Sequence, residues 1–298
     1  AAPDRAGAGM ERSGKRRHAA RDRRGQRRAR ARRVARSVLL TARPELLEAA
    51  AAASALVDFP YGNTESRLAK ARAWLATQAL SDALQFPEPT PAVQEALQWL
   101  PQVVDADGLV AFWPGGQGNV ALTAWSVHFL AEAEDAGHAV DPALMRALTT
   151  SLAASLRSDY SRLLDGSSWS ERTWALSALA ASGRSSEAYF SEAARSVQFL
   201  DTEGIAQVLL AGALGGQINT PQTRELVDAL LGRIRFRLER GEEVYDGLKD
   251  EERPSGLLLP SEVRALSEAV RALLAQQPDH PALPALSDAL LQRAGTGG

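Results

Sequence analysis

Apolar positions recur at helical spacing along most of this chain. From about Pro44 onward, Ala and Leu residues return every three or four positions, with polar residues between them. Few Ile, Val and Thr accompany them, and this balance favours helices over strands. Breaks containing Pro or Gly separate the apolar stretches. The pattern predicts helices over residues 44–57, 64–81, 91–104, 120–136, 142–157, 169–182, 185–199, 202–214, 221–238, 261–276 and 282–292.

One stretch, residues 233–247, departs from the helical pattern. Ile234, Phe236 and Leu238 alternate with charged residues, and another apolar pair follows Gly241. Alternation with a period of two is typical of a strand, and a glycine between two such runs is typical of a tight turn. The sequence therefore predicts a small β-hairpin inserted between helices.

Three segments look like variations on one helical hairpin, in which an apolar helix precedes a short polar turn and a more amphipathic helix. They begin at Thr123-Ala124-Trp125, Thr173-Trp174-Ala175 and Val263-Arg264-Ala265. Such pairs either stack into an open solenoid or close into an α/α toroid whose apolar helices form the inner ring. The irregular spacing and the lack of a repeat consensus favour the toroid. The predicted fold class is all-α, an α/α toroid of helical hairpins.

Charge divides the chain into two parts. Residues 1–40 contain 14 Lys and Arg against 3 Asp and Glu, whereas residues 41–298 contain 20 against 33. The first part has almost no large apolar residues, so we predict a basic, disordered arm or linker before the toroid. An arm that binds nucleic acid or another anionic surface is an alternative, as is an arm foreign to the domain. No aromatic residue is interleaved for base stacking, so we expect no nucleic-acid partner.

Composition excludes several kinds of chemistry. The chain has no cysteine, so it has no thiolate nucleophile, no disulfide, no thiolate zinc site and no thioester. Its four histidines are scattered without metal-ligand spacing, and we expect neither a metal nor a cofactor. No apolar run reaches the roughly 20 residues of a membrane span, and the first residues have no apolar stretch of the signal-peptide type.

Three stretches carry a resemblance to a known family. Phe59-Pro60-Tyr61-Gly62-Asn63-Thr64-Glu65-Ser66 resembles the thioester segment of the α2-macroglobulin and complement family, in which the pattern is Tyr-Pro-Tyr-Gly-Cys-x-Glu-Gln. Gly108-Leu109-Val110-Ala111-Phe112-Trp113-Pro114-Gly115-Gly116 resembles the Gly-rich turn that follows the thioester in bacterial members. Pro278-Asp279-His280-Pro281-Ala282-Leu283-Pro284 resembles a late turn of the same domain. The resemblance implies the thioester domain of a bacterial α2-macroglobulin, which is an α/α toroid.

The two cross-linking positions depart from the family pattern. The resemblance puts Asn63 where the family has Cys and Ser66 where it has Gln, whereas Pro60, Tyr61, Gly62 and Glu65 are retained. Without a thiol or a glutamine acyl group, covalent capture of a target is excluded on chemical grounds. Asn63 also has an ordinary structural interpretation as the N-cap of the following helix, with Glu65 at the positive end of its dipole.

The resemblance also implies a function. It indicates a non-covalent module of a protease inhibitor or trap in bacterial defence, and not an enzyme. The implied partners are neighbouring macroglobulin domains and target proteases, and the implied location is the periplasm, the cell surface or the outside of the cell. In the family, the chain would continue beyond Gly298, so the domain over residues 41–298 is expected to be truncated at its C-terminal end.

A free-standing toroid enzyme or carbohydrate binder is the main alternative. It requires an acidic pair and several Trp side chains facing one open cavity. Asp105, Asp107 and Asp159 lie next to turns, where acids usually cap loops, and His128 lies in an apolar stretch typical of a core histidine. We expect most of the Trp residues to fill the core: Trp74, Trp99, Trp113, Trp125, Trp169 and Trp174.

Overall fold

Helices dominate the part of the chain that the structure describes. The computed structural model describes residues 62–78, 91–164, 169–249 and 261–295. The arm over 1–40, the predicted helix over 44–57, Pro60 and Tyr61 lie outside these ranges. The helices are α1 Thr64–Gln78, α2 Ala92–Trp99, α3 Val120–Asp135, α4 Pro142–Ser155, α5 Trp169–Ala181, α6 Glu187–Arg195, α7 Thr202–Leu214, α8 Pro221–Gly232, α9 Glu262–Gln276 and α10 Leu283–Gly295, with 3-10 turns at Leu100–Gln102 and Val197–Phe199.

Side-chain caps explain where most of these helices begin. Asp201 accepts a hydrogen bond from the backbone N–H of Gly204 at the start of α7, and the same arrangement recurs elsewhere. A cap of this kind satisfies one of the backbone donors that a helix leaves free at its first turn. The capping residues of α3, α4, α6, α8 and α9 are Asn119, Asp141, Ser186, Thr220 and Ser261.

The predicted β-hairpin is confirmed. Strands β1 (Ile234–Glu239) and β2 (Glu242–Leu248) pair antiparallel, and Arg240 and Gly241 form the turn with φ of 52° and 92°. The helix predicted over 221–238 is therefore wrong beyond Gly232. From Ile234 to Arg237, buried or partly buried residues alternate with exposed ones, as in a strand on the edge of the core and unlike the period of a helix.

The helices form two layers, as the toroid prediction requires. The odd-numbered helices α3, α5 and α7 are buried on nearly all sides, and α7 is buried from Thr202 to Gly212 except at Glu203. Consecutive odd-numbered helices pack on one another, whereas the even-numbered helices pack against them from outside. The fold is an all-α toroid with a small hairpin. The sequence pattern identified three helix pairs, and α1–α2 and α7–α8 are two further pairs that it missed.

The inner helices run parallel, which the order of their contacts shows. Trp125 and His128 of α3 meet Trp174 and Ser177 of α5, so both helices advance by three residues between the two contacts. The contacts from α5 to α7 and from α7 to α9 advance in the same sense. The side chains thus form two transverse layers: Trp125, Trp174, Glu203 and Arg264 in one, and His128, Ser177, Gln207 and Glu268 in the other.

A charged cluster joins the first and the last described inner helices. Glu132 of α3 accepts hydrogen bonds of 2.6 and 2.7 Å from Arg72 of α1. Arg271 of α9 lies 3.8 Å from the same carboxylate and donates to Glu268 at 3.0 and 3.1 Å. Opposite charges held this closely, and partly screened from water, attract more strongly than exposed pairs do. Glu132 therefore connects α1, α3 and α9.

The charged cluster continues into a buried polar chain that returns to α3. Glu268 accepts a hydrogen bond of 3.1 Å from Gln207, whose side-chain oxygen accepts from Ser177. The Ser177 hydroxyl lies 3.0 Å from Nε2 of His128, which sits on α3 one turn before Glu132. We call the whole series, from Arg72 through Glu132, Arg271, Glu268, Gln207 and Ser177 to His128, the polar circuit. It contains a residue from each of the five described inner helices.

Acid should destabilise the toroid through His128. Burial of the ring, together with the charges of Arg72 and Arg271, holds the pKa of His128 well below its ordinary value of 6.5. As the pH falls through 6.5, His128 binds a proton in the unfolded chain but stays neutral in the folded chain. The free energy of unfolding should then fall with a slope that approaches about 1.4 kcal/mol per pH unit. Urea unfolding between pH 7.5 and 5 measures this slope.

The variant His128→Gln is the matched control for the pH dependence. Glutamine can still form a hydrogen bond with Ser177 but does not titrate. The free energy of unfolding of the variant should therefore depend less steeply on pH, by the contribution of about one proton. Every other pH-dependent contribution is common to the two proteins and cancels in the difference. Identical slopes in the two proteins would contradict the role of His128.

Candidate functional site

The first described helix begins at the segment that resembles the thioester motif. Oδ1 of Asn63 accepts a hydrogen bond of 2.8 Å from the backbone N–H of Ser66. The predicted N-cap is thus confirmed, and Glu65 occupies the first turn of α1. Gly62, Asn63, Glu65 and Ser66 are all partly exposed. The segment therefore presents the start of a capped helix at the surface.

Thr64 fastens this helix start to the turn before α3. Its side chain is fully buried, and its hydroxyl donates toward the carbonyl oxygens of Ala111 and Phe112, at 2.7 and 3.0 Å. Its backbone N–H also donates to the carbonyl of Phe112, and its hydroxyl oxygen accepts from the indole of Trp99 at 2.9 Å. Four contacts converge on one residue that the sequence pattern left unassigned.

Arg67 and two tryptophans cover one side of the same turn. Nε of Arg67 donates to the carbonyl of Gly62 at 2.7 Å, while its guanidinium lies 4.3 Å from the ring centre of Trp99. Trp113 meets Trp99 edge-on, with ring centres 6.4 Å apart, and is 52% exposed. These contacts favour a fixed cation over an aromatic face. The result is a rigid helix start beside an exposed indole.

Asp105 organises the Gly-rich turn that receives Thr64. One carboxylate oxygen accepts from the backbone N–H groups of Asp107 and Leu109, and the other accepts from that of Gly118, all at 2.9 Å. Arg162 pairs with both Asp105 and Asp107. Gly118 has no room for a side chain, since an added Cβ would lie 2.4 Å from the carbonyl oxygen of Leu109. Residues 105–118 therefore form a tightly bonded platform.

Two of the three stretches that carry the family resemblance meet at this site. Thr64 touches Phe112 near the start of α3, and Arg72 touches Glu132 near its end, so α1 runs parallel to α3. The turn over 277–282, between α9 and α10, instead follows the end of an inner helix. Because the inner helices are parallel, that turn lies at the opposite end of the ring from Asn63.

Within the described part of the chain, the contacts of the helix start are those of a capped helix. The carboxamide of Asn63 serves as a cap, and the hydroxyl of Ser66 bonds to no histidine or carboxylate within the described ranges. A serine nucleophile needs such a base to become reactive. The side chains at positions 63 and 66 thus cap and flank a helix.

The acidic candidates elsewhere are engaged in structural contacts. The carboxylate of Asp105 accepts the backbone hydrogen bonds of the platform. The exposed Asp159 pairs with Arg157, whose hydrogen bond lowers the pKa of Asp159. Burial raises the pKa of Glu203, as it would for a general acid, but its carboxylate accepts from both Trp174 and Arg264. His128 is the buried, hydrogen-bonded core residue that the sequence predicted.

The tryptophans mostly fill the core, as predicted. Trp174 is 1% exposed, and Trp74, Trp99, Trp125 and Trp169 are partly buried against the core. Trp113 is the exception. The carbohydrate-binding hypothesis requires several Trp side chains facing one open cavity, whereas Trp113 alone of the six is exposed. In the portion that the structure describes, no three His, Asp or Glu side chains gather to hold a metal, and no helix is long and apolar enough to span a bilayer.

Comparisons with known proteins find a likeness in structure. No family model and no curated protein matches the sequence. A crystal structure of native Escherichia coli α2-macroglobulin from domain MG7 to the C-terminus is 20% identical, with a TM-score of 0.65 over 83% of this chain. A crystal structure of Salmonella α2-macroglobulin reacted with methylamine is 20% identical in sequence, with a TM-score of 0.67 over 84% of this chain. The native E. coli α2-macroglobulin reconstructed by electron cryomicroscopy is 20% identical, with a TM-score of 0.66 over 83% of this chain.

The matched region is a part of much longer proteins. This chain covers 38% of the E. coli fragment and 15% to 16% of the two longer chains. At this identity the likeness shows the fold, which agrees with the toroid that the helix pattern and the resemblance predict. The described residues thus form a module like one found in bacterial α2-macroglobulins.

Proposed function

We propose that this chain is a non-covalent, thioester-like domain of a bacterial α2-macroglobulin-like protein. The observation that carries the proposal is the helix start at Gly62–Ser66, which is bonded through Thr64 to the Gly-rich turn of the same toroid. The two stretches that resemble the family in sequence are therefore in contact. A chance likeness of short segments would not place them together on a matching fold.

Positions 63 and 66 are where the covalent chemistry was replaced. Side chains three residues apart on a first helical turn lie on one face, close enough for a cross-link. Asn63 and Ser66 occupy this spacing but contain neither a thiol nor an acyl group, and the chain has no cysteine. In place of a cross-link, Asn63 caps the helix by accepting a hydrogen bond from the backbone N–H of Ser66. The negative charge of Glu65 interacts favourably with the positive end of the helix dipole. Pro60, Tyr61 and Gly62 match the family pattern in sequence.

The domain would act by packing, and not as an enzyme. Its platform and the exposed Trp113 provide a rigid surface for the neighbouring domains of the same protein. A target protease would be held without a covalent bond, and no cofactor takes part. The proposed location, outside the cytoplasm, follows from the same family resemblance.

Restoring the lost groups tests this assignment. In the double variant Asn63→Cys, Ser66→Gln, the thiol should attack the glutamine carboxamide, expel one ammonia and form a thioester. Methylamine should then break the C–S bond, forming an amide and releasing one free thiol. Mass spectrometry and thiol titration follow both steps. The unsubstituted chain should keep its mass with methylamine, and should leave no adduct with a protease on denaturing electrophoresis.

Each protein in this experiment can contradict the proposal. An adduct on residues 63–66 of the unsubstituted chain that survives denaturation would show that covalent chemistry persists. A folded double variant that never loses ammonia would show that positions 63 and 66 are not the cross-linking pair. The single variant Asn63→Cys is the matched control, because it supplies a thiol without an acyl group.

A further inference from the structure

Arg67, at the start of α1, is a fixed cation with no counterion among the described residues. Its Nε donates to the carbonyl of Gly62, and its guanidinium lies 4.3 Å from the ring centre of Trp99. Within the described ranges, its other two guanidinium nitrogens donate to no residue and pair with no carboxylate. The side chain is only partly exposed, so water screens its charge incompletely.

Helix geometry explains why Arg67 is not neutralised by its own helix. Residues three or four positions apart are neighbours on a helix, whereas residues two apart do not face each other. Glu65 therefore lies on another side of α1, and the helical neighbours of Arg67 are Asn63, Thr64, Lys70 and Ala71. The other arginines of α1 and α9 each pair with a glutamate: Arg72 with Glu132, Arg264 with Glu203 and Arg271 with Glu268. Among these four arginines, only the charge of Arg67 is left for a partner.

An exposed, uncharged surface adjoins this cation. Trp113 meets Trp99 edge-on, with ring centres 6.4 Å apart, and is 52% exposed. Residues 113–117 are all exposed and none of them is charged. Tryptophan and arginine side chains that are held in place contribute much of the binding energy at protein interfaces. Arg67 and Trp113 contact the same indole, so a charged group and an apolar group lie side by side at the surface.

We propose that Arg67 and Trp113 form one docking site for an acidic segment of a neighbouring domain. A carboxylate of the segment pairs with the guanidinium of Arg67, whose planar fork matches two carboxylate oxygens. An apolar side chain of the segment covers the indole of Trp113. The inference that the partner is a neighbouring domain rests on the proposed function, whereas the acidic and apolar character of the segment follows from the two side chains.

The separation of the two groups fits a short stretch of peptide. Because Arg67 and Trp113 both contact Trp99, they cannot be farther apart than the two contact distances combined. Residues two apart in an extended segment point to the same side and lie about 7 Å from each other. An acidic residue and an apolar residue with one residue between them can therefore reach both groups. A neutral segment would leave Arg67 without a counterion, and a segment without the apolar side chain would leave the indole exposed.

Titration of the full chain with the peptide acetyl-Glu-Ala-Leu-amide tests the site, and acetyl-Gln-Ala-Leu-amide is the uncharged probe. Two-dimensional NMR of the indole N–H groups follows binding, and the signal of Trp113 is assigned with the variant Trp113→Phe. We expect this signal to shift and saturate with a Kd of about 1 mM for the acidic peptide, and the uncharged peptide to bind about threefold more weakly or worse. The signal of Trp174, which is 1% exposed and bonded to Glu203, should not move.

Variants assign the preference to Arg67. Arg67→Gln should abolish the difference between the two peptides, and Arg67→Lys should retain a part of it because it keeps the charge but not the planar fork. Arg224→Gln is the matched control: it removes an exposed arginine of α8 and should leave the titration unchanged. Trp113→Ala, followed through the Trp99 signal, should weaken binding of both peptides alike. Circular dichroism confirms that each variant is folded.

Four results would overturn the proposal. They are a Trp113 signal that does not move up to about 10 mM acidic peptide, equal affinity for the two peptides, a preference that persists in folded Arg67→Gln, and a Trp113 signal that shifts on dilution of the chain alone. The last result would show that a second copy of the chain covers this surface. The titration needs no thioester, so it can fail while the restored double variant succeeds, and the reverse also holds.

Discussion

Replacing Glu268 by alanine should lower the free energy of unfolding by about 3–5 kcal/mol, the largest effect we expect from a single substitution. Glu268 is 6% exposed and accepts hydrogen bonds from both Arg271 and Gln207. Among the described residues, its removal leaves Arg271 with only the more distant carboxylate of Glu132, 3.8 Å away, and leaves the side-chain amide of Gln207 without an acceptor. The penalty is that of a partly buried charge and a buried donor left unpaired. Urea unfolding at pH 7.5 measures it.

Two further variants separate charge from packing at this position. Glu268→Gln keeps the shape and an acceptor oxygen but removes the charge, so it should lose less stability than Glu268→Ala. Arg271→Met combined with Glu268→Ala should recover a part of the loss, because the unpaired cation is gone. If Glu268→Ala unfolded at the same urea concentration as the unsubstituted chain, the polar circuit would contribute nothing to the stability of the ring.

The sequence predicted the inner ring well because apolar helices have a strong signal. The Ala and Leu runs of α3 and α5 begin with Thr-Ala-Trp and Thr-Trp-Ala, and both helices are buried on nearly all sides. The α7–α8 pair was missed as a pair because α7 starts with Asp201 and Thr202 and lacks a tryptophan, although its helical period was recognised. Helix period is local information, whereas the grouping of helices depends on distant contacts.

The polar circuit could not be predicted from the same pattern. Glu268, Gln207 and Ser177 occupy positions that a helical pattern assigns either to a polar face or to a tolerated exception in an apolar run. Only the parallel arrangement of the inner helices brings these side chains into one layer. The sequence identified His128 as a core histidine, but its partner Ser177 lies 49 positions away. Long-range pairing of this kind has no signature in one sequence.

At the candidate site, the sequence predicted the cap but not the anchor. Asn63 before a helical run is a direct capping signal, and its bond to Ser66 confirms it. Thr64, the variable position of the motif, and Trp99, which was assigned to the core, gave no sign that they bond to each other. The roles of Asn63 and Ser66 as former cross-linking positions stay predictions, which the restored double variant addresses.

Thr64→Val should destabilise the toroid by about 2–3 kcal/mol and loosen the start of α1. Valine keeps the branched shape but removes the hydroxyl, which leaves the indole N–H of Trp99 without its acceptor and takes a donor from the carbonyls of Ala111 and Phe112. These groups lie in or beside the core, where an unpaired polar group is costly. Urea unfolding gives the global loss, and hydrogen exchange at the amides of residues 64–68 gives the local one.

Thr64→Ser is the matched control for this prediction. Serine keeps the hydroxyl and loses one methyl group, so it should lose only about 1 kcal/mol and protect the α1 amides almost as well as threonine. If valine and serine had equal effects, the methyl group and not the hydrogen bonds would hold α1 to the platform. The expected difference would instead show that one buried hydroxyl couples the motif-like helix start to the Gly-rich turn. Such coupling would hold the start of α1 in place without a cross-link between positions 63 and 66.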